Sequence, residues 1–97
     1  MVHELANNVL TIYFEGELNS SNSEEVEKEI EGYLAEGGFN AIVIDFDKLK
    51  YISSAGLRIV ARLKQTYDDL TLVKMSDDVY DIFNMVGFTD MITIKRK

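Results

Sequence analysis

Hydrophobic residues recur at two spacings along this chain, and the change from one spacing to the other divides it into elements. Val2 to Ala6 and Val9 to Leu18 flank Asn7-Asn8. Asparagine tolerates positive φ, so this layout predicts two strands joined by a tight hairpin. In the second segment Leu10, Ile12 and Phe14 alternate with Thr11, Tyr13 and Glu15, one apolar face at period two. Val26, Ile30, Tyr33 and Leu34 then follow the spacing of one helical face. Ser21-x-x-Glu24 and Asn22-x-x-Glu25 both have the form of a capping box, and Gly37-Gly38 supplies the stop. Ala41–Phe46 is a short continuous apolar run, which predicts a strand buried on both faces. Residues 57–64 predict a second helix that begins near Ser53, and Leu70–Met75 a further strand. Ser76 caps a third helix carrying Val79, Ile82, Phe83 and Val86, closed by Gly87; Met91 to Lys95 reads as the last strand.

The predicted order is β-β-α-β-α-β-α-β. Strands alternating with single helices imply right-handed crossovers and mostly parallel pairing, with the hairpin as an antiparallel edge. The expected fold class is α/β: one domain over residues 1–97, with a mixed five-stranded sheet, an N-terminal hairpin and three or more helices. A chain of 97 residues has room for one small core.

Composition narrows the chemistry. There is no cysteine, so disulfides, thiolate metal sites and cysteine nucleophiles are excluded. The sole histidine, His3, lies near the start and reads as a solvated strand residue. The net charge is −7. Nucleic acids and anionic membranes need a basic patch, and the one basic cluster, Lys95-Arg96-Lys97, reads as a solvated tail. A protein partner is therefore expected, with no nucleic acid, no direct membrane contact, no small-molecule substrate and no cofactor. No apolar run approaches the ~20 residues that cross a bilayer. The first residues lack a signal-peptide layout, so a cytoplasmic location is expected. No catalytic constellation, glycine-rich phosphate loop or metal spacing is present, which points away from an enzyme. The acidic residues of the first helix, Glu24 to Glu31, read as a solvated face. Tyr33, Phe83, Met85 and Phe88 read as core.

In parallel α/β sheets, function collects where strands end and helices begin. That places interest on Asp45 and Asp47, then a connection through Lys48 to Ile52, then Ser53-Ser54-Ala55-Gly56-Leu57. Either serine could simply be the helix N-cap. Free backbone N–H groups in the same turn would also favour an anion. Gly56 in a first helical turn costs about 1 kcal/mol relative to alanine, so something approaches it closely, either a neighbouring element or a partner. Arg58 stands one turn from Ser54 and could meet a phosphate or an acidic partner, or be a plain solvated arginine.

Four stretches, in order along nearly the whole chain, resemble the STAS domain family of bacterial anti-sigma-factor antagonists (anti-anti-sigma factors). Gly16-Glu17-Leu18-Asn19 resembles the Gly-x-Leu-Asp end of the second strand. Ile42 to Phe46 resembles the central strand with its terminal Asp or Asn. Tyr51 to Leu57 resembles the phosphorylation loop, and Ile82 to Phe88 the last helix with its glycine stop. The resemblance implies a switch in partner choice that regulates transcription. The unphosphorylated protein binds an anti-sigma factor and frees a sigma factor; the anti-sigma factor, a serine kinase, phosphorylates it; a serine phosphatase resets it. ATP and Mg²⁺ belong to the kinase.

By position the phosphorylated serine is Ser54, with Ser53 second. Asn19, Asp45, Ser53, Ser54, Ala55, Gly56, Leu57 and Arg58 form the implied partner-binding set. This loop departs from the family pattern, because Ser53 stands where an Asp is usual and Asn19 where an acidic residue is usual. The alternative implied by the same resemblance is an unphosphorylated docking subunit of a lipid-transport ABC system or a signalling scaffold.

Overall fold

Asn7 and Asn8 adopt φ of 53° and 66°, the left-handed geometry that lets two strands reverse in two residues. β1 (Val2–Ala6) and β2 (Val9–Leu18) accordingly pair antiparallel, with His3 opposite Ile12 and Leu5 opposite Leu10. The computed structural model describes residues 1–97. From β2 the chain continues through α1 (Ser23–Glu36), β3 (Ala41–Ile52), α2 (Ser54–Thr66), β4 (Leu70–Met75), α3 (Asp77–Met85), a 3-10 turn (Phe88–Asp90) and β5 (Thr93–Arg96). The sheet order is β1-β2-β3-β4-β5, and every pair after the first is parallel. The mixed five-stranded α/β architecture is the one the spacing predicts.

The strand order decides which face is covered. Each right-handed crossover adds its strand on the same side of the last, so all three helices fall on one face. Leu10, Ile12, Phe14, Ile42, Ile44, Phe46, Leu70 and Leu72 point into that face and are buried. They meet Ile30 of α1, Ile59, Val60 and Leu63 of α2, and Val79 and Phe83 of α3 in one cluster. Phe46 packs between Phe14 and Phe83 at centroid distances of 5.5 and 5.6 Å. The opposite face carries the rows Glu4, Thr11, Val43, Thr71, Thr93 and Val2, Tyr13, Asp45, Val73, aligned by register. Of these only Asp45 is buried. The expectation of a central strand buried on both faces is therefore corrected. Val43 is half-buried because no helix lies over it.

Several boundaries also differ. β3 does not end at Phe46 but runs to Ile52, so Lys48 to Ile52 is strand rather than connection. It stays paired to β2, yet slips by one extra residue twice, between the pairs Tyr13–Asp45 and Glu15–Lys48 and again between Gly16–Leu49 and Glu17–Tyr51. Those bulges break the period of two and hid the strand. The last strand starts at Thr93, not Met91, because the N–H groups of Met91 and Ile92 donate to the Phe88 carbonyl in the 3-10 turn. Met85, read as core, is 84% exposed at the end of α3.

His3 stacks on Tyr33 of α1 at 3.7 Å. The tail is also less free than its composition suggests. Arg96 donates to Asp77 at 2.6 Å and lies 4.0 Å over the Tyr80 ring, and Lys97 reaches Asp47 at 3.3 Å.

Candidate functional site

Ser53 and Ser54 stand where β3 gives way to α2. The Ser53 N–H donates to the Leu18 carbonyl at 2.9 Å, which continues the β2–β3 pairing by one residue. The Ser53 carbonyl then accepts from the Leu57 N–H at 2.9 Å, the first bond of the helix. The N–H groups of Ser54, Ala55 and Gly56 fall in the turn that has no intrahelical partner. Ser54 is the first helical residue and is exposed.

Neither serine caps α2 through its side chain. Ser53 occupies the N-cap position with extended backbone, but its hydroxyl makes no cap hydrogen bond. That oxygen is buried and has no partner. By contrast the hydroxyl of Ser76, at the head of α3, accepts from the Val79 N–H at 3.3 Å. The expectation that one of Ser53 and Ser54 caps the helix is thus not met. The first turn of α2 also holds no acidic residue, whereas α1 has Glu24 and Glu25 and α3 has Asp77 and Asp78. The positive end of the α2 dipole has no acidic side chain in its own first turn to offset it.

Gly56 has an internal explanation. A Cβ there would stand 2.6 Å from Ile52 Cγ1 and 2.8 Å from Leu18 Cγ. The close neighbour is the pair of strand ends beneath the helix. Gly56 and Leu57 are buried, Ala55 is half-buried, and Arg58 is exposed on the next turn with no ion pair or hydrogen bond. Tyr51 is 46% exposed two residues before Ser53. Its place in the Tyr51–Leu57 stretch was visible, but nothing in the spacing marked it as outward-facing.

Asn19 lies next to this turn through the Leu18–Ser53 bond. Its Oδ1 accepts from the Ser21 N–H at 3.0 Å and the Ser21 hydroxyl at 2.6 Å, and its own N–H donates to Asn22 Oδ1 at 2.9 Å. Asn22 Nδ2 donates to the Glu17 carbonyl at 2.8 Å. These bonds consume the side chains expected to form capping boxes. α1 starts at Ser23 with Asn22 at its N-cap and no side-chain cap bond. Asn19 is therefore a loop-knitting residue beside the serines.

Asp45 is not gathered into the same site. It pairs with Tyr13 and Val73 in mid-sheet, seven residues before Ile52 in β3, on the order of 20 Å of strand. Its carboxylate accepts from the Asp47 N–H at 2.8 Å and lies 3.7 Å from Lys74. The structure thus brings Asn19, Ser53, Ser54, Ala55 and Arg58 to one end of the molecule, seats Gly56 and Leu57 beneath them, and leaves Asp45 apart.

The STAS domain model matches residues 2–97. BtrV of Bordetella bronchiseptica, named as an anti-sigma factor antagonist, is 32% identical over 90 residues, 89% of this chain and 77% of that protein. The anti-sigma-B factor antagonist of Listeria monocytogenes is 28% identical over 91 residues, covering 90% and 79%. Among solved structures, an anti-sigma factor antagonist assignment from Thermotoga maritima superposes with a TM-score of 0.88 at 17% identity, covering 99% of this chain and 86% of that one. The antagonist SpoIIAA superposes in its unphosphorylated form with a TM-score of 0.79 at 19% identity, covering 96% and 85%. Its phosphorylated form, from Bacillus, gives 0.67 at 18%, covering 96% and 90%. At such identities the structures speak for the fold. The family model over almost every residue and the BtrV match carry the assignment: this chain belongs to the STAS domain family.

Proposed function

We propose that this protein is an anti-sigma factor antagonist whose binding to its anti-sigma factor is switched off by phosphorylation of Ser54. The observation that carries the reading is the exposed Ser54 at the head of α2, in a turn with free backbone N–H groups and no internal carboxylate. The relatives named as antagonists support the partner class, and SpoIIAA stays folded in both phosphorylation states. Phosphoserine adds about −1.5 to −2 charges. A helix N-terminus tolerates that charge, so the modification leaves the domain folded. Its effect falls on the interface, where added charge and desolvation weaken association. Ser54 is favoured over Ser53 because the Ser53 hydroxyl is buried and out of a kinase's reach.

In this account the anti-sigma factor is the serine kinase and supplies ATP and Mg²⁺, a serine phosphatase resets the switch, and this chain performs no catalysis. Arg58 and Asn19 line the contact surface, with Ser53 and Ala55 at its centre; Gly56 and Leu57 shape it from below. The test is a titration of the cognate anti-sigma factor with the parent chain, Ser54→Ala and Ser54→Asp. The expected result is near-parent affinity for Ser54→Ala and a loss of about tenfold or more for Ser54→Asp, since one charge in a desolvated interface is worth that much. Equal affinity for all three would refute the switch and favour the unphosphorylated docking subunit of a transporter or scaffold.

A further inference from the structure

A second site lies on the sheet face that no helix covers. Beside the middle of β2 and β3 and the end of β4, a cavity of about 240 Å³ opens at Asp45. Asp45 is only 7% exposed. Its Oδ1 accepts from the Asp47 N–H. Its other oxygen has the Lys74 ammonium at 3.7 Å, too far for a hydrogen bond. This oxygen borders the open cavity and has no short donor from the chain, so it is free to accept from a group that enters there. Lys74 itself is held at φ 56°, a backbone state costly for any residue with a side chain, where the β4–β5 register slips between Leu72 and Met75.

The charges around the cavity balance. Glu15, Asp45, Asp47, Lys48 and Lys74 line it, and Asp47 is committed to Lys97. Two acids and two lysines remain. Val2 and the ring of Tyr13 supply an apolar wall, while the Tyr13 hydroxyl is occupied by Glu4 at 3.1 Å. No group of three acidic or imidazole side chains is placed to hold a metal ion. We propose that this cavity binds a small zwitterion of the α-amino-acid class with an apolar side chain. Its ammonium donates to the free Asp45 oxygen, its carboxylate lies between Lys48 and Lys74, and its side chain lies against Val2 and Tyr13. The site is separate from Ser54, stands or falls independently of the switch, and runs against the sequence-based expectation of no small-molecule ligand.

The test is a titration of the full ¹⁵N-labelled chain followed by amide NMR shifts. L-leucine and L-phenylalanine are the probes; 4-methylpentanoate and isopentylamine, each lacking one charge of leucine, are the controls. Saturable shifts centred on Asp45 to Lys48 and Lys74 are expected, with each half-ligand about tenfold weaker or worse, the value of one charge-assisted hydrogen bond. Lys48→Ala alters an exposed lysine, keeps the fold, and should weaken leucine binding about tenfold; Asp45→Asn should remove it. No saturable shift at millimolar amino acid, half-ligands that bind as well as leucine, or undiminished binding by Lys48→Ala would each overturn the proposal.

Discussion

At Gly56 and Ser53 the chain gives up local helix stability, and the two sacrifices have different causes. Glycine is kept at position 56 because a methyl group would press against Ile52 and Leu18, both buried and both contacted near the root of the side chain. Gly56→Ala should therefore destabilise the domain by about 1–3 kcal/mol, even though alanine favours the helix by roughly 1 kcal/mol; urea denaturation reads the net loss. The Ser53 hydroxyl is buried without a partner. Ser53→Ala should be neutral or slightly stabilising, since it removes an unsatisfied polar group. Ser76→Ala, which deletes a made cap bond, should cost about 1 kcal/mol. If Ser53→Ala proves the costlier of the two in the same denaturation assay, the assignment of an uncapped α2 is wrong.

Among elements, those with unbroken periodicity were legible in the chain. The hairpin followed from Asn7-Asn8, α3 from Ser76 and its apolar spacing, and the end of α1 from Gly37. β3 beyond Phe46 was not, because its two bulges shift the buried positions to Leu49 and Ile52, three residues apart. The Ser53-Ser54 turn was legible as a strand-to-helix junction. Its exposed and buried members were not, since the identity of two adjacent serines does not say which hydroxyl faces inward. The packing of β1 on α1 was also hidden, and it has a pH signature. Tyr33 donates to the Met1 carbonyl at 3.0 Å while stacking on His3. Burial first, then the charges of Glu29 and Glu36, hold its hydroxyl above the ordinary tyrosine value. With the folded value raised, this contribution to stability is full below the ordinary tyrosine range. It is lost as pH climbs through the folded value, because the unfolded chain ionises first. The parent should lose stability at alkaline pH more steeply than Tyr33→Phe when thermal unfolding is followed across that range.

For the whole molecule, the consecutive strand order separates the two proposed surfaces: the head of α2 on the helical side and the bare sheet face on the other. The net charge of −7 works against a polyanion partner, and no retardation of DNA is expected in a gel shift at physiological salt. Salt-sensitive retardation would contradict that. What remains is whether one hydroxyl at the head of α2 governs association. The most direct measurement incubates the parent, Ser54→Ala and Ser53→Ala chains with the cognate anti-sigma factor kinase and Mg-ATP, then maps phosphate by mass spectrometry. The account predicts one phosphate on Ser54 in the parent and in Ser53→Ala, and none in Ser54→Ala. Phosphate on Ser53 in the parent, or none on any chain while the kinase still binds the parent, would contradict it.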